Sequence, residues 1–300
     1  MTSSSQDLFE QAISLPSPSI EARTTRLVGF EARYNQVEKD IRLMTNPDAL
    51  AAWSKQHYTK TLPICEILLD RYPLVILEGD VGTGKTATAE GIASRFAKEH
   101  KKEAMLYKMS TRVRGTGLHG EMSKLVGEAF QSVTTEAGRK RFAFLLIDEA
   151  DALASSRDMV QSHQEEKAGT NTLIQKLDEA RKLGGRLVVL MCTNRISAVD
   201  PAIHRRAARI LSFNRPTEAE RLELLRNDLQ GVQLTESQLS DLVRATGPTE
   251  SRPYGMTFSD LRTRLLPTAL LAAFPEDPLT FELLFKTACA TPPSPPFPNT

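Results

Sequence analysis

The stretch Leu77–Glu90, LEGDVGTGKTATAE, contains the pattern that decides the fold. It fills every fixed position of the phosphate-binding loop G-x-x-x-x-G-K-[ST], with Gly79, Gly84, Lys85 and Thr86. Glycines permit backbone conformations that a side chain would forbid, so consecutive N–H groups can hold phosphate oxygens at a helix N-terminus. Lys85 is expected to reach the β- and γ-phosphates, and Thr86 to offer its hydroxyl to Mg²⁺. The expected phosphate-binding residues are Gly79, Asp80, Val81, Gly82, Thr83, Gly84, Lys85 and Thr86.

The sequence on either side of the loop has the strand and the helix that this pattern requires. YPLVIL, Tyr72 to Leu77, is typical of a short buried strand, and apolar residues follow at helical spacing between Thr86 and Ala97. A simpler interpretation is a glycine turn with Lys85 merely solvated. Because the full pattern arises by chance in about one chain in a hundred of this length, we prefer the phosphate-binding interpretation.

Composition limits the remaining possibilities. The 300 residues, 40% hydrophobic and 25% charged, suit one large domain plus a smaller one. A formal net charge of +1 gives no global basic field of the kind that marks most nucleic-acid binders. Three isolated cysteines, Cys65, Cys192 and Cys289, argue against a disulfide framework or a zinc site. No apolar run has the length of a membrane span and no signal peptide is visible, so we expect a cytoplasmic protein.

The sequence predicts an α/β domain between residues 27 and 214. Apolar strands alternate there with helical segments, in the order YPLVIL, EAMLYKM, FAFLLID, RLVVLMC and ARILSF. Near-continuous apolar strands separated by helices indicate a five-stranded parallel sheet sandwiched by helices. The polar residues 1–26 are expected to form a flexible leader.

A smaller helical region is predicted beyond Pro216. Residues 215–290 are expected to form an all-α lid domain, since two capping boxes begin at Thr217 and Thr235 and a longer helix is kinked near Pro267. Residues 291–300, TPPSPPFPNT, form a proline-rich tail, which is more typical of a disordered end than of a docking ligand.

A second chemical element is the strand FAFLLI, which delivers Asp148 and Glu149 at its carboxyl end. Ligands bind at that end of open α/β sheets. Asp148 is expected to hold Mg²⁺, usually through a coordinated water, and Glu149 to activate the water that attacks the γ-phosphate. The alternative is that both carboxylates cap the next helix. Their place downstream of a phosphate loop favours the catalytic interpretation.

The third element runs from the end of the strand RLVVLMC to a group of arginines. Asn194 follows that strand, where its amide can hold the attacking water. Arg205 and Arg206 come later, too far along the chain to serve the same nucleotide easily. One of them could be an arginine finger for the γ-phosphate of a neighbouring subunit, which implies a ring. Alternatively Arg205, Arg206 and Arg209 form a solvated basic edge or contact nucleic acid. These residues alone leave both interpretations open.

These elements in this order resemble the AAA+ P-loop ATPases: phosphate loop, LLIDEADAL, CTNR, DPAIHRRA and a helical lid, over about Leu27–Ala290. The resemblance implies ATP and Mg²⁺ as cofactors, with Val28 and Gly29 against the adenine. It also implies a pore loop, which falls at Leu118, His119 and Gly120. Since the family's aromatic residue is missing there, a strong peptide grip is not expected. The alternative is that Leu118 and His119 are ordinary core and surface residues.

More narrowly, the chain resembles the pachytene-checkpoint ATPases that remodel HORMA-domain proteins, especially their bacterial relatives in cyclic-oligonucleotide anti-phage systems. The motifs that carry this resemblance are SKLVGEAF, DEADALASSRD, AGTNTLIQKLDE, HRRA and TRLLPTALLA. The resemblance implies a homohexameric ring that hydrolyses ATP to unfold a HORMA protein partly and thereby reset a signalling complex. Its register favours Arg206 over Arg205 as the finger.

Two departures from that family matter. The Gly-Arg pair of the family's lid falls at Asp260 and Leu261, so Arg262 or Arg264 is taken as the nucleotide sensor. The sequence also lacks room for a separate adaptor-binding domain before the ATPase core, so we expect the substrate to meet the ring directly.

The sequence leaves two alternatives to remodelling. A nucleic-acid-acting AAA+ factor, such as a loader, would use the arginines 205, 206 and 209, but the near-neutral charge and the lack of an appended helix-turn-helix argue against nucleic acid. A nucleotide-gated scaffold that does not hydrolyse ATP is disfavoured by Glu149. No membrane partner is expected.

Overall fold

The computed structural model describes residues 8–69, 71–110, 121–137, 142–152, 164–250 and 252–297. Within them a six-stranded sheet has the strand order β1-β3-β4-β5-β2-β6. Its strands are β1 Phe9–Leu15, β2 Leu74–Gly79, β3 Ala104–Met109, β4 Phe142–Ile147, β5 Leu187–Thr193 and β6 Arg209–Phe213.

The five strands that the sequence predicted, β2 to β6, are confirmed. Parallel pairing joins β3 to β4, β4 to β5 and β5 to β2, with Leu74 opposite Val189 and Ala143 opposite Leu187. Every residue of β4 and β5 is buried. Continuous apolar strands fit a parallel sheet because helices cover both of its faces.

The sixth strand corrects the prediction that residues 1–26 are a flexible leader. Phe9–Leu15 pairs antiparallel with β3, with Leu15 opposite Ala104, and the segment Pro18–Thr24 forms helix α1. Ile20 of α1 is buried. The sequence pattern does not predict β1, because FEQAISL is half polar and lies at the edge of the sheet. Its only described partner strand lies far along the chain, so local periodicity does not reveal it.

The remaining helices follow the strands in the expected alternation and then form a helical region. They are α2 Phe30–Thr45, α3 Pro47–Tyr58, α4 Pro63–Leu69, α5 Lys85–Glu99, α6 Glu121–Ala137, α7 Gln164–Arg181, α8 Pro201–His204, α9 Glu218–Asp228, α10 Glu236–Ala245, α11 Leu266–Ala273 and α12 Phe281–Ala290. Among the described segments, no helix is long and apolar enough to cross a membrane.

The chain divides into two compact units. The first contains the residues up to Thr25, Phe30–Glu78 and Thr86–Ser212, and the second contains Arg26–Gly29, Gly79–Lys85 and the chain from Phe213 onward. The first unit has its core on the sheet. The second contains the helices predicted for the lid, most of the phosphate loop and the short segment before α2.

The second unit has its own apolar core and well-defined helix ends. Helices α9 to α12 surround buried residues that include Leu224, Leu242 and Leu284. Both predicted capping boxes are present, at Thr217 and Thr235. These reciprocal bonds satisfy backbone N–H groups that a helix start leaves without partners, and so fix where α9 and α10 begin.

Candidate functional site

The phosphate loop follows β2 in a conformation that requires glycine. Gly79, Gly82 and Gly84 have φ angles of 139°, 74° and 91°, in the region that favours glycine. A Cβ atom at Gly79 would lie 2.1 Å from the carbonyl oxygen of Phe213, so a side chain there would force the backbone apart. The loop therefore has the tight turn that lets backbone groups approach a phosphate closely.

Lys85 is buried at the end of this loop, with only 7% of the residue exposed. Its Nζ donates hydrogen bonds to the carbonyl oxygens of Gly79, at 2.9 Å, and Asp80, at 2.7 Å. Thr83 Oγ1 donates to the same Asp80 oxygen at 2.7 Å. A buried ammonium needs partners, and phosphate oxygens would give it charged ones, so the loop fits a phosphate-bearing ligand.

The first unit brings together the two predicted magnesium ligands. Thr86 Oγ1 donates to Asp148 Oδ2 at 2.8 Å, although the two residues lie far apart in sequence. In the part of the chain that the structure describes, no group of three or more His, Cys, Asp or Glu side chains is placed to hold a metal. One hydroxyl and one carboxylate suit Mg²⁺, which keeps several waters and binds substrate phosphates instead of filling an all-protein cage.

Glu149, the predicted water-activating residue, follows directly and is exposed. Its backbone N–H donates to Asp148 Oδ1 at 2.9 Å. Its φ of 48° lies in the left-handed region, which is uncommon for a residue with a side chain. Such a conformation persists only where the surrounding structure enforces it, and here buried Ala150 follows immediately.

Asn194, the predicted water-holding residue, is fixed by a carboxylate that the sequence analysis missed. Asp151 Oδ1 accepts from Thr193 Oγ1 at 3.1 Å and from the backbone N–H of Asn194 at 3.4 Å. Asp151 therefore ties the end of β5 to the segment that follows β4. The signal in the sequence was the third carboxylate of the run DEAD.

Arg206 and Arg205 differ in their surroundings. Arg206 makes two contacts with Asp178, Nε to Oδ1 at 2.7 Å and Nη2 to Oδ2 at 3.1 Å, and its guanidinium lies 5.1 Å from the ring centre of Tyr72. The hydrogen bond from Arg206 holds the pKa of Asp178 below its ordinary value. Arg205 is exposed, and its Nε donates to the carbonyl of Pro201 at 3.3 Å.

Arg209, the third member of the possible basic edge, is also paired. Its Nε lies 2.7 Å from Oδ2 of Asp40, whose other oxygen lies 3.0 Å from Arg71. Asp40 is only 8% exposed. Two of the three arginines of that edge thus face carboxylates of their own chain.

The second unit holds both predicted sensor arginines on carboxylates. Arg262 contacts Asp228 at 2.6 and 3.0 Å, and Arg264 contacts Asp260 at 3.1 Å. Arg215, which the sequence analysis did not consider, contacts the phosphate loop at Asp80. The sensor role of Arg262 or Arg264 stays a prediction.

The remaining predicted site residues are two that precede α2 and three that lie outside the described residues. Val28, expected against the adenine, is buried and packs into the apolar core of the second unit. Gly29 follows with a positive φ of 71°. The predicted pore residues Leu118, His119 and Gly120 lie outside the described residues.

Residues 75–215 match the family described as "ATPase family associated with various cellular activities (AAA)". The sheet, the phosphate loop and the carboxylates after β4 thus define a AAA ATPase, as the sequence resemblance predicted. CD-NTase-associated protein 6 of Escherichia coli strain KTE188 is 47% identical over 293 residues, covering 97% of this chain and 98% of that one. The chain belongs to the family of CD-NTase-associated protein 6.

Two solved structures resemble this chain along nearly its whole length. One, described as the HORMA:CdnC:Trip13 complex of E. coli MS115-1, has a TM-score of 0.93 and 38% identity, covering 99% of this chain and 100% of that one. The other, Rhizobiales Trip13, has a TM-score of 0.74 and 34% identity, covering 96% of this chain and 100% of that one. The predicted recognition and fold class are therefore confirmed, and the sheet has one more strand than predicted.

Proposed function

We propose that this AAA family member binds ATP with Mg²⁺, hydrolyses the ATP, and uses the reaction to remodel a HORMA-domain protein. The observation that carries the proposal is the phosphate loop with buried Lys85, followed in the chain by Thr86 hydrogen-bonded to Asp148. The match of residues 75–215 to the AAA family supports the nucleotide chemistry.

Each of the site residues has a part in ATP hydrolysis under this proposal. Lys85 supplies positive charge to the phosphates, and Thr86 and Asp148 hold Mg²⁺, which neutralises developing negative charge when it is bound. Glu149 takes a proton from the water that attacks the γ-phosphorus, while Asn194 holds that water. The bond from the γ-phosphorus to the bridging oxygen breaks, leaving ADP, phosphate and a proton. Arg206, or Arg205, is the finger from a neighbouring subunit.

The proposed partner is inferred from the solved complex, one chain of which resembles this chain. That structure is described as containing HORMA, CdnC and Trip13. We infer that this chain acts as a homohexamer on a HORMA protein and thereby resets a signalling complex in anti-phage defence. The pore residues Leu118, His119 and Gly120 would meet the substrate.

The alternative, action on nucleic acid, loses support from the ion pairs. Arg206 faces Asp178 and Arg209 faces Asp40, so the edge that would contact phosphates carries less positive charge than its sequence suggests. Together with the near-neutral net charge, these pairs favour the protein partner.

The test measures ATP hydrolysis by the full chain alone and with a HORMA-domain protein as the candidate substrate, with Lys85→Ala as the matched inactive variant. We expect Mg²⁺-dependent hydrolysis and an ATP-dependent rise in protease sensitivity of the HORMA protein, both absent with Lys85→Ala. Hydrolysis that leaves the HORMA protein unchanged, with duplex DNA bound more weakly as salt rises, would contradict remodelling and favour the alternative.

A further inference from the structure

Arg215 connects the phosphate loop to two other parts of the second unit. Its Nε donates to Asp80 Oδ2 at 2.6 Å, its Nη1 to the carbonyl of Gly255 at 2.7 Å, and its Nη2 to the carbonyl of Ser294 at 2.8 Å. The guanidinium also lies 4.8 Å from the ring centre of Tyr254. With 13% of its side chain exposed, Arg215 is fixed in one position.

Residues 292–297, PPSPPF, run beside these groups and are called the strap below. The strap contacts the phosphate loop directly, since the backbone N–H of Phe297 donates to Asp80 Oδ1 at 3.2 Å. The same oxygen accepts from the backbone N–H of Val81 at 2.8 Å. Asp80 therefore receives hydrogen bonds from its own loop, from Arg215 and from the strap.

The strap is anchored at Ser294 on a buried carboxylate. Ser294 Oγ donates to Asp260 Oδ1 at 2.6 Å, and its backbone N–H donates to Asp260 Oδ2 at 3.2 Å. Asp260 is 1% exposed. Burial alone would raise the pKa of Asp260, but hydrogen bonds from Ser294 and Thr257 outweigh it, so this pKa lies below its ordinary value. The buried carboxylate needs these donors. The contacts correct the expectation that the proline-rich tail is disordered, for its residues up to Phe297.

Asp260 also links the strap anchor to the far side of the phosphate loop. Thr257 donates to Asp260 Oδ2 through its N–H at 2.9 Å and its Oγ1 at 3.0 Å. Two residues further along, the backbone N–H of Ser259 donates to the carbonyl of Gly82 at 3.0 Å. The loop is thus held at Asp80 by the strap and Arg215, and at Gly82 by the segment that Asp260 orders.

We propose that the strap is a positioning element for nucleotide binding: docked through Ser294 and Phe297, it holds Arg215 and Asp80 so that the phosphate loop is set to receive phosphates. The proposal rests on the proposed function, because it needs a nucleotide at the loop. Arg215 and Phe297 act through Asp80, so they are positioning residues.

The direction of the effect follows from charge. Asp80 places a carboxylate within the loop that is to receive a polyanion, which by itself opposes binding. Arg215 and the N–H of Phe297 both donate hydrogen bonds to that carboxylate and partly compensate its negative charge. Without them, the negative charge of Asp80 in the loop is less compensated. A docked strap therefore raises nucleotide affinity, and by linkage a bound nucleotide strengthens strap docking by the same factor.

The experiment uses a matched pair at one position in the full chain. Phe297→Pro removes both the phenyl ring and the N–H that contacts Asp80, whereas Phe297→Ala removes the ring and keeps that N–H, so the comparison of the two variants reports on the N–H. We expect Phe297→Pro to raise the Kd for fluorescent ADP and the KM for ATP about fivefold or more, in the usual range of coupling between sites, with kcat nearly unchanged. Phe297→Ala should bind as the unsubstituted chain does. Equal affinities in all three proteins would overturn the proposal.

A second measurement separates positioning from mere stability. Hydrogen exchange at the amides of Ser294 and Phe297 should slow when ADP is added to the unsubstituted chain and stay unchanged with Lys85→Ala. If ADP leaves the exchange rate of these amides unchanged in a chain shown to bind ADP, the strap proposal is overturned and the proposed function stays intact. If the unsubstituted chain binds no ADP, the proposed function fails instead, and with it the strap's role in nucleotide binding.

Discussion

The guanidinium of Arg206 and the carboxylate of Asp178 face each other in a two-point contact, at 2.7 and 3.1 Å. Such a fork-to-fork pair fixes the direction of the guanidinium as well as its position. Asp178 lies on α7 and Arg206 follows α8, so the pair braces two segments of one chain. Held in this way, the guanidinium can be oriented in advance towards the nucleotide of a neighbouring subunit. Alternatively, it can serve only as a brace within its own chain.

Replacing Arg206 distinguishes the two roles. As a finger in trans, Arg206→Ala should lower turnover by roughly 10³ or more and leave ATP binding nearly intact, because transition-state charge then lacks its cation. Mixing Arg206→Ala with Lys85→Ala subunits should restore hydrolysis above either variant alone, since some interfaces then pair an intact loop with an intact arginine. Hydrolysis is measured against the mixing ratio.

Arg205→Ala is the matched control, because Arg205 is the exposed neighbour of Arg206. We expect a smaller loss of turnover from it. If Arg206→Ala lowers the melting temperature while Arg205→Ala removes hydrolysis and complements Lys85→Ala in mixtures, the finger is Arg205 and Arg206 is a brace. Absence of rescue by either variant, with co-assembly demonstrated, would remove the trans finger from the mechanism.

Glu149→Gln should separate binding from chemistry. The amide keeps the size of the side chain but cannot accept the proton of the attacking water, so we expect turnover to fall by about 10²- to 10⁴-fold while ATP and Mg²⁺ still bind. Single-turnover hydrolysis and equilibrium binding measure the two effects. Glu223→Gln, at an exposed position of α9, is the control. Hydrolysis by Glu149→Gln at the unsubstituted rate would show that another group activates the water.

The pairing of Thr86 with Asp148 predicts how the reaction depends on Mg²⁺. Thr86→Ala removes one of the two oxygen ligands, so the Mg²⁺ concentration for half-maximal hydrolysis should rise about tenfold or more, as expected when one bond to a charged group is lost. Thr86→Ser keeps the hydroxyl and should need little extra Mg²⁺. A Mg²⁺ titration of hydrolysis measures this, and equal midpoints for Ala and Ser would contradict the assignment of Thr86 as a ligand.

The lowered pKa of Asp260 predicts a change of stability in acid. Because the folded protein holds this pKa below its unfolded value of about 3.9, Asp260 adds stability above that pH and loses it as pH falls through the folded pKa. The difference in free energy of unfolding between the unsubstituted chain and Asp260→Asn should therefore be constant above about pH 5 and shrink towards pH 3. Urea unfolding across that range measures it, with the exposed Asp277→Asn as control. A difference that grows with acidity would contradict the sign.

Local patterns account for what could be predicted from the sequence. The phosphate loop is a contiguous motif, and each of β2 to β6 is a short apolar run, so Lys85, Thr86 and Asp148 could be assigned without any knowledge of distant contacts. The pairing of Thr86 with Asp148 follows because both stand at the carboxyl ends of parallel strands or just beyond them.

Long-range partners account for what could not be predicted. Arg215 is one arginine among many in the sequence, and only folding places it on Asp80. Ser294 sits in a proline-rich run whose composition suggests disorder, and its role depends on the buried carboxylate of Asp260. Likewise β1 is recognisable as a strand only when β3 lies beside it.

That last pairing sets an order of events during synthesis. The ribosome releases Leu15 long before Ala104, the residue opposite it in the sheet. Until both have emerged, buried residues such as Phe9 have no partner, and β1 presents an open edge on which other chains can assemble. Slow translation between these points would prolong that exposure, so the yield of native protein in cells depends on how quickly a nascent chain reaches β3.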